Sequence, residues 1–216
     1  DHKRAYDDDK GPNTGGMGVY SPVPFVTNEE LSQMIAIEQR VVDQLKKEGI
    51  NYSGCLYGGF MLTNDGPKVL EFNARFGDPE TQVVLPRLQG DLVSILMACD
   101  NGTLRHQQVS WSDTVAVSVV LASAGYPGSY EKGKEITGIE AAQQLEGVSV
   151  YHAGTAQTED GKIVIAGGRV LNVTALAPTF EEARARAYEA CDLINFEGKQ
   201  LRHDIGLKAL QGRPEK

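Results

Sequence analysis

The sequence predicts an α+β chain in which antiparallel sheet is interleaved with helices, and three observations carry that prediction. Thr27-Asn28-Glu29-Glu30 has the form of a capping box: a Thr hydroxyl for free backbone N–H groups and a Glu three residues later to reciprocate. Behind it Leu31, Met34, Ile35, Val41, Val42 and Leu45 recur at helical spacing until Gly49 stops the run. Two strand-like runs, residues 54–63 and 68–73, then flank the turn Asn64-Asp65-Gly66. After the polar stretch 101–113 the texture turns strand-rich, opening with the apolar run 114–123. The expected division is therefore residues 1–110 and a small α+β domain at 111–216.

The remaining elements follow in order. Residues 1–26 are polar and then Gly/Pro-rich, which reads as loop or short extended pieces. Asp78-Pro79-Glu80 offers an N-cap, a proline at the first helical position and an acid in the first turn. Val83, Val84 and Leu88 continue that helix, which Pro86 should kink or split. Asp91 caps a second piece carrying Leu92, Ile95 and Leu96. Strands are expected at 148–158 and 162–166 around Glu159-Asp160-Gly161, and again at 168–175. A second capping box, Thr179-Phe180-Glu181-Glu182, opens a helix to about residue 193, and a closing strand is expected at 196–201.

Bulk properties narrow the function. The 216 residues suffice for one large or two small domains, and 41% hydrophobic with 23% charged content is that of a globular chain. Lys and Arg number 21 against 29 Asp and Glu, a net charge of −8. That argues against sequence-independent nucleic-acid binding, which needs excess cations to displace counterions. Cys55, Cys99 and Cys191 are odd in number and widely spaced, so a reduced cytoplasmic setting is expected in place of a disulfide framework. The longest apolar stretch, residues 115–124, falls well short of the ~20 residues a bilayer crossing needs. No secretory signal pattern is read at the start. His2, His106, His152 and His203 are scattered without zinc-site spacing. Tyr6-Asp7-Asp8-Asp9-Lys10 has the look of a protease tag but runs unbroken into Gly11-Pro12-Asn13, and is read as native.

Chemistry concentrates in two places. In the strand Val69-Leu70-Glu71-Phe72-Asn73, alternation sends Leu70 and Phe72 toward a core and Glu71 and Asn73 to the other face. Two oxygen donors so placed suit a hard cation such as Mg²⁺, which takes few protein ligands and completes its shell with water and phosphate. Arg75 continues the parity and could neutralise a transferring phosphoryl group. Spacing alone favours a solvated sheet face, with Arg75 paired to Asp78. The second place is Gly11-Pro12-Asn13-Thr14-Gly15-Gly16-Met17-Gly18, whose glycines could form an anion nest or an ordinary turn. It is neither a Walker loop nor a dinucleotide fingerprint. Asp1, Lys3 and Arg4 could hold a charged substrate or be a solvated run. Tyr126-Pro127-Gly128, His152-Ala153-Gly154-Thr155 and Gly167-Gly168-Arg169-Val170 read first as joints between strands, with Arg169 kept as a cation fixed beside two glycines. His152 reads as a satisfied, half-buried histidine.

Asp1-His2-Lys3-Arg4, the Gly11 to Gly18 motif and Leu70-Glu71-Phe72-Asn73-Ala74-Arg75-Phe76-Gly77-Asp78-Pro79-Glu80 together resemble the phosphoribosylamine–glycine ligases, an ATP-grasp family. Ala122-Ser123-Ala124-Gly125-Tyr126-Pro127-Gly128 and the two later joints fit that family's C-terminal domain, so the resemblance covers the chain in order. It implies the C-terminal lobe of an ATP-grasp domain, an antiparallel sheet with helices, followed by a small β-rich domain. It implies ATP- and Mg²⁺- (or Mn²⁺-) dependent joining of glycine to 5-phosphoribosylamine through glycyl phosphate. Glu71 and Asn73 would hold the metal against ATP, and Arg75 would stabilise the transferred phosphoryl. Asp1, Lys3, Asn13, Thr14, Gly15, Gly16, Met17 and Gly18 would line the substrate pocket with Asp78, Pro79 and Glu80. The resemblance further implies a front half, carrying the adenine-reading hinge and a phosphate-contacting lysine, upstream of Asp1. The expected partners are that N-terminal portion and the three substrates, with no nucleic acid, no membrane and a monomeric state. Two alternatives stay open: a non-catalytic binding fragment, and a sibling ATP-grasp carboxylate–amine ligase.

Overall fold

The computed structural model describes residues 1–212. Along the chain run β1 (Arg4–Tyr6), β2 (Lys10–Asn13), β3 (Gly18–Ser21), α1 (Asn28–Lys47), β4 (Tyr57–Thr63), β5 (Gly66–Asn73), α2 (Thr81–Val84), β6 (Leu88–Gln89), α3 (Leu92–Asp100), β7 (Ser110–Trp111) and β8 (Val115–Ala122). There follow α4 (Ile139–Gln143), β9 (Val148–His152), β10 (Thr155–Gln157), β11 (Ile163–Ile165), β12 (Arg169–Ala177), α5 (Phe180–Leu193) and α6 (Leu207–Gln211). They fall into two compact units: residues 1–23, 78–87 and 112–216, and residues 24–77 and 88–111.

In the first unit β3, β8, β12 and β9 form a four-stranded antiparallel sheet in that order. Every residue of β8 is buried, which an antiparallel strand allows only when both faces are covered. One cover is α5, whose Ala183, Ala187, Ala190 and Cys191 are fully buried; small side chains at that spacing let the helix approach the strands closely. The other is α2, where Val83 packs on Val19 and Ala116. The serine and threonine that interrupt the apolar strands satisfy one another, Thr174 Oγ1 donating to Ser118 Oγ at 2.8 Å.

In the second unit α1 opens on the expected capping box, with the Glu30 N–H donating to Thr27 Oγ1 at 3.1 Å and Thr27 N–H donating to Glu30 Oε2 at 3.0 Å. Gly49, in the left-handed region at φ 74°, ends it. The hairpin β4–β5 turns at residues 64–65. Asp91 caps α3, accepting from the Val93 N–H.

Two expectations change and one holds. Asp78 does not cap α2: its carboxylate is taken by Arg169 and Gln82, and the helix starts at Thr81 without a side-chain cap. Pro86 does split the segment, which becomes a 3₁₀ turn at Leu85–Arg87. No strand closes the chain at 196–201; only a bridge joins Gln200 to Ala122, because Phe196 and Lys199 are held in a turn by Lys199 N–H donating to Phe196 O. Among the described residues, no helix is long and apolar enough to cross a membrane.

Burial also sets a pH dependence for the first unit. His2 is 3% exposed and its Nδ1 lies 3.1 Å from Gly18 O, while Nε2 has no partner. Burial, reinforced by the nearby Arg202, pushes its pKa from 6.5 down to about 3. The unfolded chain therefore takes up a proton as pH falls below 6.5 and the folded chain does not until about 3. Stability should fall by up to ~1.4 kcal/mol per pH unit across that window. Thermal melts from pH 7 to 4 check this: His2→Phe, which keeps the ring against Tyr20, should flatten the slope. An unchanged slope assigns the dependence elsewhere.

Candidate functional site

In the second unit the strand motif lies on β5. Phe72 lines a groove of about 390 Å³ with Ile37, Arg40, Val41, Gln44 and Leu45 of α1, so it faces that helix. Alternation then places Glu71 and Asn73 on the opposite face. Across the hairpin Glu71 is paired with Gly59 and Asn73 with Tyr57. A Cβ on Gly59 would stand 3.1 Å from Glu71 Cγ, so the absent side chain is what gives the glutamate its lie across β4. Leu70 departs from the expected pattern. The register slips here, with Gly59 opposite Glu71 but Phe60 opposite Val69, leaving Leu70 as the extra residue of a bulge, and it is 61% exposed. Phe72 is itself 40% exposed, so one helix covers only part of the hairpin. Arg75 donates to Phe76 O at 2.9 Å, while the Asp78 carboxylate accepts from Arg169 and Gln82.

A carboxylate and an amide oxygen two residues apart on one strand face fit a hard cation that brings its own water and phosphate ligands. Among the described residues no group of three or more His, Cys, Asp or Glu could enclose a metal. A sparsely held Mg²⁺ that completes its shell with water and phosphate suits the Glu71 and Asn73 donor set.

In the first unit the structure gathers the other motif residues. Asp1 and Lys3 pair at 2.7 Å. Thr14 Oγ1 donates to Lys3 O at 2.8 Å and accepts from the Gly16 N–H at 3.0 Å, closing the turn after Asn13 at the end of β2. Gly16 adopts φ 121°, and a Cβ there would stand 2.6 Å from Pro79 and 2.7 Å from Asp1 Oδ1. Only glycine fits both the conformation and the space. Met17 is fully buried, its N–H donating to His2 O, and Gly18 O accepts from the His2 N–H at 2.9 Å. Asp1, Gly16 and Pro79 thus pack together, with Glu80 only 9% exposed, while the Met17 side chain is enclosed in the core, which is a correction to its expected place in the pocket lining. Arg169 bonds to Gly15 and Asp78 beside them, and Tyr126, which in sequence reads only as part of a turn, accepts from the Gly15 N–H. His152 stands apart and is exposed, its Nδ1 2.9 Å from Thr155 Oγ1.

Comparison with known proteins fixes the class. The biotin carboxylase domain of a thermophilic 2-oxoglutarate carboxylase superposes with a TM-score of 0.62 over 93% of this chain and 43% of its own, at 17% identity, a likeness of fold alone. The crystal structure of phosphoribosylamine–glycine ligase from Thermotoga maritima superposes with a TM-score of 0.83 at 40% identity, over 94% of this chain and 50% of its own. The fold is therefore the C-terminal lobe of an ATP-grasp domain followed by a small β-rich domain. Residues 1–81 match the family model "Phosphoribosylglycinamide synthetase, ATP-grasp (A) domain" and residues 116–208 the model of the C domain. The chain belongs to the phosphoribosylglycinamide synthetase family. It is 50% identical over 206 residues to the phosphoribosylamine–glycine ligase of Caldanaerobacter subterraneus, covering 95% of this chain and 48% of that one. It is 51% identical over 212 residues to the trifunctional purine biosynthetic protein adenosine-3 of Gallus gallus, covering 97% of this chain and 21% of that one. The chain thus spans about half the length of the single-function ligase and about a fifth of the trifunctional protein.

Proposed function

We propose that this chain acts as part of a phosphoribosylamine–glycine ligase. On this reading ATP phosphorylates the glycine carboxylate, and the amine of 5-phosphoribosylamine displaces phosphate from glycyl phosphate. The products are glycinamide ribonucleotide, ADP and phosphate. The observation that carries the reading is the 50% identity to a ligase of that name along 206 residues, spanning both domains.

The chemistry explains the residues. A carboxylate is a poor acyl donor until one oxygen becomes a phosphate leaving group, so the protein's task is positioning and charge neutralisation. Glu71 and Asn73 are the proposed holders of Mg²⁺ (or Mn²⁺), which when bound neutralises the ATP phosphate oxygens. Arg75, a guanidinium just past the strand end, is assigned to the charge of the transferred phosphoryl. Asp1, Lys3, Asn13, Thr14, Gly15, Gly16, Met17 and Gly18, with Asp78, Pro79 and Glu80, are assigned to substrate. The close packing of Gly16 on Asp1 and Pro79, and the bonds of Thr14 to Lys3 and Gly16, support that grouping; Met17, being buried, would act by holding the loop. In sequence terms, residues 1–110 are proposed as the back half of the grasp and 111–216 as the C domain. The proposed partners are the remainder of the ligase and its three substrates, in a cytoplasmic monomer.

The test is a full-length ligase in which this chain supplies its 216 residues. Its ADP release should require both glycine and 5-phosphoribosylamine, and the chain alone should release none. Release that ignores glycine, or equal turnover by the chain alone, overturns the reading.

A further inference from the structure

We propose that Arg169, together with Tyr126, is the positioning residue that locks the 15–18 loop against the Asp78-Pro79-Glu80 turn. The inference rests on the ligase reading and adds to it a residue from the C domain. Arg169 stands at the start of β12, where the pairing with β8 shifts register, Arg169 lying opposite Ala122 and Leu171 opposite Leu121. A bulge of this kind re-aims a side chain. Its backbone is fixed by the Gly154 N–H donating to Arg169 O at 2.8 Å.

From there the guanidinium reaches two separate segments. Nη1 donates to Gly15 O at 3.0 Å and to Asp78 O at 2.8 Å, and Nη2 donates to Asp78 Oδ2 at 2.9 Å. The Arg169 side chain is 20% exposed and the Asp78 carboxylate that it grips is 47% exposed, so the fork lies at the surface with its guanidinium half covered. A Cβ on Gly15 would lie 3.0 Å from Arg169 Cζ, 3.1 Å from Nη2 and 3.2 Å from Nε, so the fork lies against the glycine and a side chain there would have to displace it. The other side of the same glycine is held as well, its N–H donating to Tyr126 Oη at 3.1 Å. One glycine is thus pinned at both its N–H and its C=O by two side chains of the C domain.

Two carbonyls and a carboxylate need a planar donor with several N–H groups at fixed angles. Arginine has that geometry; a lysine ammonium keeps the charge but not the fork. Three of the five guanidinium N–H groups of Arg169 bond to the protein, so its effect on the reaction is assigned to the loop that it holds. A loop misplaced by about 1 Å can cost on the order of 10²-fold in turnover.

Two measurements on Arg169→Lys and Tyr126→Phe decide the matter. Hydrogen exchange on the 216-residue chain should show amides 15–18 exchanging at least ten times faster in Arg169→Lys, with β8 and β12 unchanged. In the full-length ligase the same variant should lose about 10²-fold in kcat with little change in the KM for ATP. Tyr126→Phe should move both readouts in the same direction, by less. Unchanged exchange at 15–18 overturns the tether. Faster exchange with unchanged kcat overturns the positioning role and leaves a structural bond. A wild-type ligase without glycine-dependent ADP release sinks the ligase reading instead, and the exchange result then decides the tether alone.

Discussion

Arg202→Met should destabilise the first unit by about 3–5 kcal/mol, which for a chain of this size lowers Tm by roughly 10 °C. Arg202 is fully buried. Nε and Nη2 grip both oxygens of Asp204 at 2.8 and 2.7 Å, and Nη1 donates to Asp9 Oδ1 at 3.0 Å and Arg4 O at 3.1 Å. Burial works to raise the Asp204 pKa, but the bonds from Arg202 and the Asp8 N–H outweigh it and hold that carboxyl at about 2. Removing the cation strands a half-buried carboxylate that the fold has tuned to stay charged. The double variant Arg202→Met with Asp204→Asn should recover much of the loss, because the stranded charge goes with its partner. Equal melting of the single variant and wild type would refute the account, as would a double variant no better than the single.

The same cluster explains why the Tyr6-Asp7-Asp8-Asp9-Lys10 run belongs to the fold. Asp7 accepts from the His203 N–H at 2.7 Å, the Asp8 N–H donates to Asp204, and Asp9 pairs with Lys208 at 2.6 Å. Asp8 and Asp9 take positive φ values of 59° and 54°, a conformation aspartate tolerates better than most residues. Their partners lie almost two hundred positions away, so a local reading sees an acidic run and nothing to pair it.

Local signals were legible for the same physical reason that long-range ones were not. The Thr27 cap, the Asn64-Asp65-Gly66 turn and the buried β8 run are decided by residues within a few positions of one another, and each appears in the structure. The bulge at Leu70 depends on cross-strand register, which alternation along a single strand cannot reveal. Asp78 was a plausible cap by local grammar, yet its carboxylate goes to Arg169, ninety-one positions on. Tyr126 carried no signal as a loop anchor, since a Tyr-Pro-Gly string is sufficiently explained by the turn it makes. Arg169 was legible only as a cation beside glycines; its targets needed the fold.

Glu71→Gln in the full-length ligase should lower kcat by at least ~10²-fold and raise the Mg²⁺ concentration needed for half-maximal rate. The substitution is isosteric and removes only the charge, at an exposed position on a hairpin whose pairing is carried by backbone bonds. Its melting temperature should fall far less than its turnover, which separates a metal role from a structural one. Gly59→Ala supplies a second arm: a Cβ 3.1 Å from Glu71 Cγ must push the glutamate aside, so Mg²⁺ demand should rise while the carboxylate remains. Asn73→Asp, which keeps an oxygen at the same place and adds charge, should preserve metal binding far better than Asn73→Leu. A solvated sheet face, the alternative that spacing alone left open, predicts that none of the four changes alters Mg²⁺ dependence. If Glu71→Gln and Asn73→Leu both keep wild-type rate and metal requirement, the cation is held elsewhere and the strand motif serves only the hairpin.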